Sequence, residues 1–367
     1  MIQLSYKYFN LNPECYLILG KNKSVIQNLL TRDVIWLNEE ETQLMIKVER
    51  GDKVDESNEY LNELAMRGFG FISEKRYYID KIRTMNLFNQ KKFWKDRPIV
   101  FSAILQLTNK CNMNCDQCNK IFCPICTKTL YDNDISCNVD IWEKTIDELI
   151  KFGLKNIILT GGEVTLYEGL NEIIDFSISR GLNVTISTNG LNKLEKLYND
   201  VEIIINVFED KQMNAIKENY SEFDNIKIFN YSTENIEKEN INKNWEVIEV
   251  SEGTPTINIE NILKTDLILF DANKYNNSCL KSKIYITSNL NVIPCFGDRT
   301  SIIGNVLEDG ISTIIYKLST NYWNKPKVKY KNNHKCGNCE FRYSCSVCTN
   351  LNADENCNYR MELGEWK

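Results

Sequence analysis

The sequence predicts an α/β protein: an open, partial barrel of six strand–helix units, with a smaller module before it and a cysteine-rich region after it. Three observations predict this. Residues 99–250 alternate short β-branched runs with amphipathic stretches, the pattern of βα units and a mostly parallel sheet. Residues 1–96 follow a different rhythm of strand-like and helical runs, and the charged, proline-ended stretch 91–98 reads as a linker. Fourteen cysteines, against a single histidine, crowd into 111–137 and 279–357, with Cys15 apart from both groups. Reduced thiols grouped this tightly point to metal ligation or redox chemistry.

In the first module, strand-like runs at 15–19 and 34–37 lead into a helix whose N-cap is Asn38, with Glu41 three residues on to complete a capping box. A second helix spans about 55–67, stops at Gly68, and is followed by a short strand at 69–72. The result is a strand-helix-helix-strand module of winged-helix size. Strands of the central region fall near 99–107, 156–159, 183–187, 201–207, 225–229 and 245–250. The clearest helix is 139–152, where Trp142, Ile146, Leu149 and Ile150 share one face. Another covers 170–180, with Gly181 as its stop. Six such units with short connections close into a partial barrel whose working edge lies at the strands' C-terminal ends. From about 266 onward periodicity fades as cysteine, Asn and Gly accumulate, as in a region held by metal rather than by a large apolar core. The domains that follow are 1–96, 97–265 and 266–367.

Composition narrows the function classes. The opening MIQLSYKYFN lacks the charged and apolar regions of a secretory signal, and no apolar run approaches the roughly 18 residues of a membrane helix. A cytoplasmic protein with no membrane partner is expected. A net charge of −6 argues against a general nucleic-acid binder, which needs clustered Lys and Arg.

The loop after the first barrel strand reads Leu105-Gln-Leu-Thr-Asn-Lys-Cys111-Asn-Met-Asn-Cys115-Asp-Gln-Cys118. Three thiolates in C-x3-C-x2-C can ligate three irons of a [4Fe–4S] cluster and leave the fourth open. Cys115, Cys118, Cys123 and Cys126 also form two C-x2-C pairs four residues apart, which suits zinc, so the cysteines alone leave both metals open. Forty-two residues after Cys118, at the end of the second strand, stands Thr160-Gly161-Gly162-Glu163. Glycines there allow close backbone approach and a glutamate can pair with an ammonium group. The third strand ends in Ser187-Thr-Asn-Gly190 and the fourth in Asn206-Val-Phe. Together these residues resemble the radical S-adenosylmethionine (SAM) enzymes. The resemblance implies a SAM-binding cluster at Cys111, Cys115 and Cys118, a methionyl amino group held by Gly161, Gly162 and Glu163, and ribose contacts from Ser187 and Asn206. Two positions depart from the family pattern: Gln117 replaces an aromatic residue and Val164 replaces a proline.

The C-terminal cysteines are Cys279, Cys295, Cys336, Cys339, Cys345, Cys348 and Cys357. Seven thiols exceed one zinc site and nearly suffice for two four-iron clusters, with a pair of zinc-ribbon sites as the competing reading. Their pattern resembles the SPASM domain of peptide-modifying radical SAM enzymes. By that resemblance Cys336, Cys339, Cys345 and Cys357 hold an outer auxiliary cluster, and Cys279, Cys295 and Cys348 an inner one with an open iron. Departures are a shorter gap between Cys345 and Cys348, and Leu290 where the family pattern has glycine. Cys123, Cys126 and Cys137 are left as ligands of a further metal or free thiols. Cys15 reads as a buried strand residue and His334 as a surface loop residue.

Residues 1–96 resemble the winged-helix peptide-recognition element of enzymes that modify ribosomally made peptides, which captures a leader peptide as an added strand. A DNA-binding winged helix is disfavoured by the acidic run Glu39-Glu-Glu41. The function implied is a peptide maturase. It cleaves SAM reductively to a 5′-deoxyadenosyl radical, abstracts hydrogen from a precursor peptide and installs a thioether or carbon–carbon crosslink. Its electron donor would be a flavodoxin or ferredoxin. The alternatives are an anaerobic sulfatase-maturing, formylglycine-generating enzyme and a non-catalytic metal-binding or DNA-binding regulator.

Overall fold

The computed structural model describes residues 6–83, 98–114, 136–232, 236, 241–249, 262–295, 298, 301–325, 334–345, 357, 359–360 and 365–366. By compactness the chain forms two units: Met1–Trp94 with Pro255–Cys279 and Lys325–Lys367, and Lys95–Thr254 with Leu280–Asn324. These units do not follow the three consecutive segments read from the sequence, because two later stretches pack with the first module.

The first unit starts with β1 (Tyr6–Leu11), β2 (Cys15–Leu19), β3 (Ser24–Asn28), β4 (Val34–Leu37), α1 (Glu39–Arg50), β5 (Val54–Asp55), α2 (Glu59–Met66) and β6 (Gly70–Ser73). Two antiparallel sheets result, ordered β5-β1-β6 and β2-β3-β4. The capping box of α1 forms as its sequence requires: Glu41 N donates to Asn38 Oδ1 at 2.9 Å and Asn38 N donates to Glu41 Oε2 at 2.8 Å. The second helix starts later than its pattern suggests. Asn58 caps it, accepting from Leu61 N at 3.0 Å, while Val54–Asp55 is drawn into pairing with β1.

One core packs Phe9, Leu37, Met45, Leu61 and Leu64 between sheet and helices. A second gathers Tyr16, Ile18, Val25 and Leu29 from β2, β3 and the turn beyond with Ile262, Phe270, Phe341 and Tyr359. Hydrogen bonds tie the same segments: Arg342 Nη1 reaches Leu19 O at 2.7 Å, and Asn273 Nδ2 on the helix Leu267–Tyr275 reaches Tyr343 O at 2.9 Å.

The second unit carries β7 (Ser102–Thr108), α3 (Val139–Ile150), β8 (Asn156–Gly161), α4 (Leu170–Ser179), β9 (Asn183–Thr188), β10 (Val201–Val207), α5 (Gln212–Tyr220), β11 (Ile226–Asn230) and β12 (Glu246–Glu249). Its six strands are parallel and adjacent in chain order. Register aligns Ala103, Ile157, Val184 and Val201 across four of them, all buried. Such layers explain why the strands read as β-branched runs.

The segment 280–324 is more regular than its composition suggests. Here β13 (Lys283–Ile286) adds to the free edge of β7 in parallel, and β14 (Asn291–Ile293) and β15 (Gly304–Asn305) follow in antiparallel, giving nine strands. Strands of two to four residues are too short to leave a legible period. Among the described residues no helix is long and apolar enough to cross a membrane.

Candidate functional site

The C-terminal ends of β7 to β10 line a small cleft open to solvent. It is lined by Cys111, Gly161, Gly162, Ser187 and Asn206, so five residues singled out in the sequence meet there. Cys115 and Cys118 lie outside the described residues, as do Cys123 and Cys126. Sequence reasoning passed over Thr188 and Asn189, part of the Ser-Thr-Asn-Gly run it quoted, and also Thr160, Met113 and Phe208. Strand-end position is the signal that finds them, since side chains there face whatever binds at the sheet's edge.

The two glycines have a definite task. A register shift between Gln106 and Thr108 brings Thr108 opposite Gly161. Gly162 N then donates to Thr108 O at 2.9 Å and Glu163 N to Lys110 O at 2.7 Å. A Cβ on Gly162 would stand 2.3 Å from Lys110 O and 2.7 Å from Asn109 O. The pair therefore lets the end of β8 lie directly against the backbone that leads into Cys111. The far end of that loop is tied to the same place, through an isolated antiparallel bridge between Thr108 and Ser136.

Glu163 is buried and is not among the residues lining the cleft. Its Oε1 accepts from Thr165 N at 3.1 Å, Thr165 Oγ1 at 2.7 Å and Thr188 Oγ1 at 2.6 Å, and its Oε2 from Asn189 N at 2.7 Å. Burial raises its pKa above the ordinary carboxylate value, against the pull of those four bonds. Asn206 Nδ2 donates to Ser187 Oγ at 3.0 Å, so the two residues expected at a ribose already share one polar wall. Behind them Gln212, fully buried on α5, donates from Nε2 to Asn189 O at 2.8 Å and Asn206 O at 3.1 Å. The same side chain accepts from Phe208 N and Glu209 N through Oε1.

The site suits a group with a soft-ligand end and a polar end. Met113 N donates to Cys111 Sγ at 3.4 Å, an arrangement that favours a negatively charged sulfur, and the Ser187–Asn206 wall offers hydroxyl and amide groups.

No family-level sequence profile matches the chain. Among curated proteins it is 34% identical over 97 residues to the sporulation killing factor maturation protein SkfB of Bacillus subtilis, covering 26% of this chain and 22% of SkfB. It is 29% identical over 93 residues to the antilisterial bacteriocin subtilosin biosynthesis protein AlbA of the same organism, covering 25% and 19%. The match to a 7-carboxy-7-deazaguanine synthase of Clostridium acetobutylicum is 29% over 121 residues, covering 33% and 52%. The chain resembles the radical SAM maturases. The aligned stretches span between a fifth and about half of these relatives' lengths. Among solved structures, Streptococcus suis SuiB bound to S-adenosylmethionine aligns over 92% of this chain and 94% of its own, at 13% identity and a TM-score of 0.44. The structure of anSMEcpe with bound AdoMet aligns over 67% and 84%, at 12% identity and 0.43. Both likenesses are too distant to bear on function.

The cysteines expected from the sequence to hold auxiliary clusters are distributed unevenly. Cys339, Cys345 and Cys357 pack against the second core of the first unit, beside Tyr359. Phe341 N donates to Cys339 Sγ at 3.3 Å. Burial pushes the Cys339 thiol up, and the nearby Glu340, Cys345 and Cys336 add to that shift against the amide bond. Cys279 belongs to the first unit and Cys295, buried, to the second. Cys348 lies outside the described residues. Among the described residues no three Cys, His, Asp or Glu side chains stand together as a metal site.

Leu290, where the family pattern has glycine, has a φ of 63°, in the left-handed region that glycine favours. Its side chain is buried in exchange. Cys137 Sγ donates to Ser288 O at 3.3 Å. Cys15 is fully buried on β2, and burial pushes its thiol up to about 12. His334 opens the helical turn His334–Gly337.

Proposed function

We propose that the chain is a radical SAM peptide maturase. It would hold a [4Fe–4S] cluster at Cys111, Cys115 and Cys118, seat SAM in the cleft, and close a thioether or carbon–carbon crosslink in a ribosomally made precursor peptide. The observation that carries this reading is the meeting of Cys111, Gly161, Gly162, Ser187 and Asn206 at the ends of adjacent parallel strands. Cluster and SAM, when bound, supply the 5′-deoxyadenosyl radical that takes hydrogen from the peptide.

The chain's own residues bind and orient. The Gly-Gly-Glu turn offers backbone groups to the methionyl amino end, and the Glu163 carboxylate holds that turn to the neighbouring strand. Ser187 and Asn206 meet the ribose hydroxyls as donors and acceptors. Cys336, Cys339, Cys345 and Cys357 serve an outer auxiliary cluster, and Cys279, Cys295 and Cys348 an inner one. The three-module division at 1–96, 97–265 and 266–367 accompanies this reading, with leader capture assigned to the winged-helix-like first module and electrons delivered by a flavodoxin or ferredoxin in the cytoplasm.

The test incubates the anaerobically reconstituted protein with SAM, dithionite and a short peptide encoded beside its gene, and weighs the peptide afterwards. Loss of two hydrogens with release of 5′-deoxyadenosine is expected. Intact SAM and unchanged peptide mass would overturn the proposal, as would SAM cleavage that survives Ala at Cys111, Cys115 and Cys118.

A further inference from the structure

The residue after Cys111 is part of a closed ring of hydrogen bonds. Asn112 Oδ1 accepts from Asn189 Nδ2 at 2.7 Å, and Asn112 Nδ2 donates to Asn192 Oδ1 at 3.3 Å. Asn192 Nδ2 donates to Thr165 Oγ1 at 3.1 Å, and Thr165 Oγ1 donates to Glu163 Oε1 at 2.7 Å. Asn189 N closes the ring by donating to Glu163 Oε2 at 2.7 Å. Five side chains from three chain segments are involved: the cysteine loop, the turn after β8 and the turn after β9.

Asn189 is the member with the least freedom. It is buried, and besides its two ring contacts its Oδ1 accepts from Leu191 N at 3.0 Å and its carbonyl from Gln212 Nε2 at 2.8 Å. Both backbone polar groups and both side-chain polar atoms are thus used. Asn112, by contrast, is exposed on the loop, so its amide is set by what it touches and not by packing. An exposed asparagine held at both ends by a network anchored on the buried Asn189 and Glu163 is fixed by that network. Asn189 also lines the cleft and touches the loop next to Cys111, so one side chain joins the two.

We propose that Asn112 and Asn189 form a clasp that fixes the stem of the cysteine loop against the cleft, so that they act as positioning residues for whatever Cys111 and the cleft bind jointly. This rests on the radical SAM reading above for the identity of the bound groups, but the clasp itself is a property of the chain. Opening it would remove a side-chain tie between the stem that carries Cys111 and the turn after β9, and loosen Cys111 against the wall formed by Gly161, Gly162, Ser187 and Asn206. Loss of one such bond changes an equilibrium by about tenfold.

Two measurements on the full chain test it. In metal-free protein, iodoacetamide alkylation of Cys111, followed by peptide mass spectrometry, should run about tenfold faster in Asn112→Ala and Asn189→Ala. The double variant should fall well short of the product of the singles, because both singles break the same Asn112–Asn189 bond. Asn112→Asp keeps the oxygen that Asn189 donates to and should restore most of the protection. Rates equal to wild type in both Ala variants, or simple multiplication of effects in the double variant, would overturn the clasp. In reconstituted protein of equal iron and sulfide content, the Ala variants should bind SAM about tenfold more weakly and lose much of the SAM-induced change in the EPR spectrum of the reduced cluster. Wild-type SAM affinity and spectrum in those variants would equally overturn it. A wild-type protein that shows no SAM-induced change would sink the function proposed above, while the alkylation rates still decide the clasp.

Discussion

At the scale of single residues, two buried polar side chains behave oppositely. Glu163 accepts four hydrogen bonds, yet burial still raises its pKa above the ordinary 4.5. An acid whose folded value is raised holds its proton more tightly in the folded chain. Its contribution to stability is then full below the ordinary value and is lost as pH climbs through the raised one. Glu163→Gln should flatten that stretch of the profile, read by urea denaturation from about pH 4 upward; an unchanged slope would show that burial does not govern the group. Gln106, on β7 opposite Thr160, is fully buried, and among the described residues neither end of its amide finds a partner. A buried amide without a partner costs about 1–3 kcal/mol, so Gln106→Leu should raise the unfolding free energy by about 1 kcal/mol. A fall instead would mean that the amide has work to do in the folded protein.

At the scale of elements, the contact between the end of β8 and the stem of the cysteine loop depends on two missing side chains, and Gly162 is the tighter position. Gly162→Ala places a carbon 2.3 Å from Lys110 O, so the stem must move. Overpacking of this kind costs about 1–3 kcal/mol, and SAM affinity should fall with it; titration calorimetry on the reconstituted variant, set beside its thermal unfolding, reads both. The capping box is a simpler case: Asn38→Ala should cost about 1 kcal/mol by chemical denaturation.

Both features were readable in the sequence, because a Gly-Gly pair at a strand end and an Asn-x-x-Glu before an apolar run act through neighbours in the chain. The barrel strands β7 to β11 were legible for a similar reason, since each carries buried apolar residues, largely β-branched, in a short run. Strand β3 was not. Its Ser24, Gln27 and Asn28 are all buried, so polar residues interrupt the hydrophobic signal, and Asn28 Oδ1 accepts from Leu30 N and Thr31 N in the following turn. Glu163's partners, Thr188 and Asn189, lie 25 and 26 residues away, and spacing alone does not predict that they meet.

At the scale of the whole molecule, the first unit is assembled from three distant stretches. A fragment ending at residue 94 keeps the core around Met45 and Leu61 but leaves Tyr16, Ile18, Val25 and Leu29 without Phe270, Phe341 and Tyr359. It is expected to unfold with low cooperativity and to bind a hydrophobic dye, and a sharp two-state transition without dye binding would contradict this. That assembly also sets a timetable for biogenesis. A ribosome making this chain releases the apolar face of β2 and β3 long before it reaches Tyr359, and at about 5–20 residues per second the interval lasts tens of seconds. During that time the nascent chain offers a sticky surface that Phe270 begins to cover and Phe341 and Tyr359 complete. Yield in a foreign host should therefore respond to slower translation or added chaperone more than to any change at the cleft.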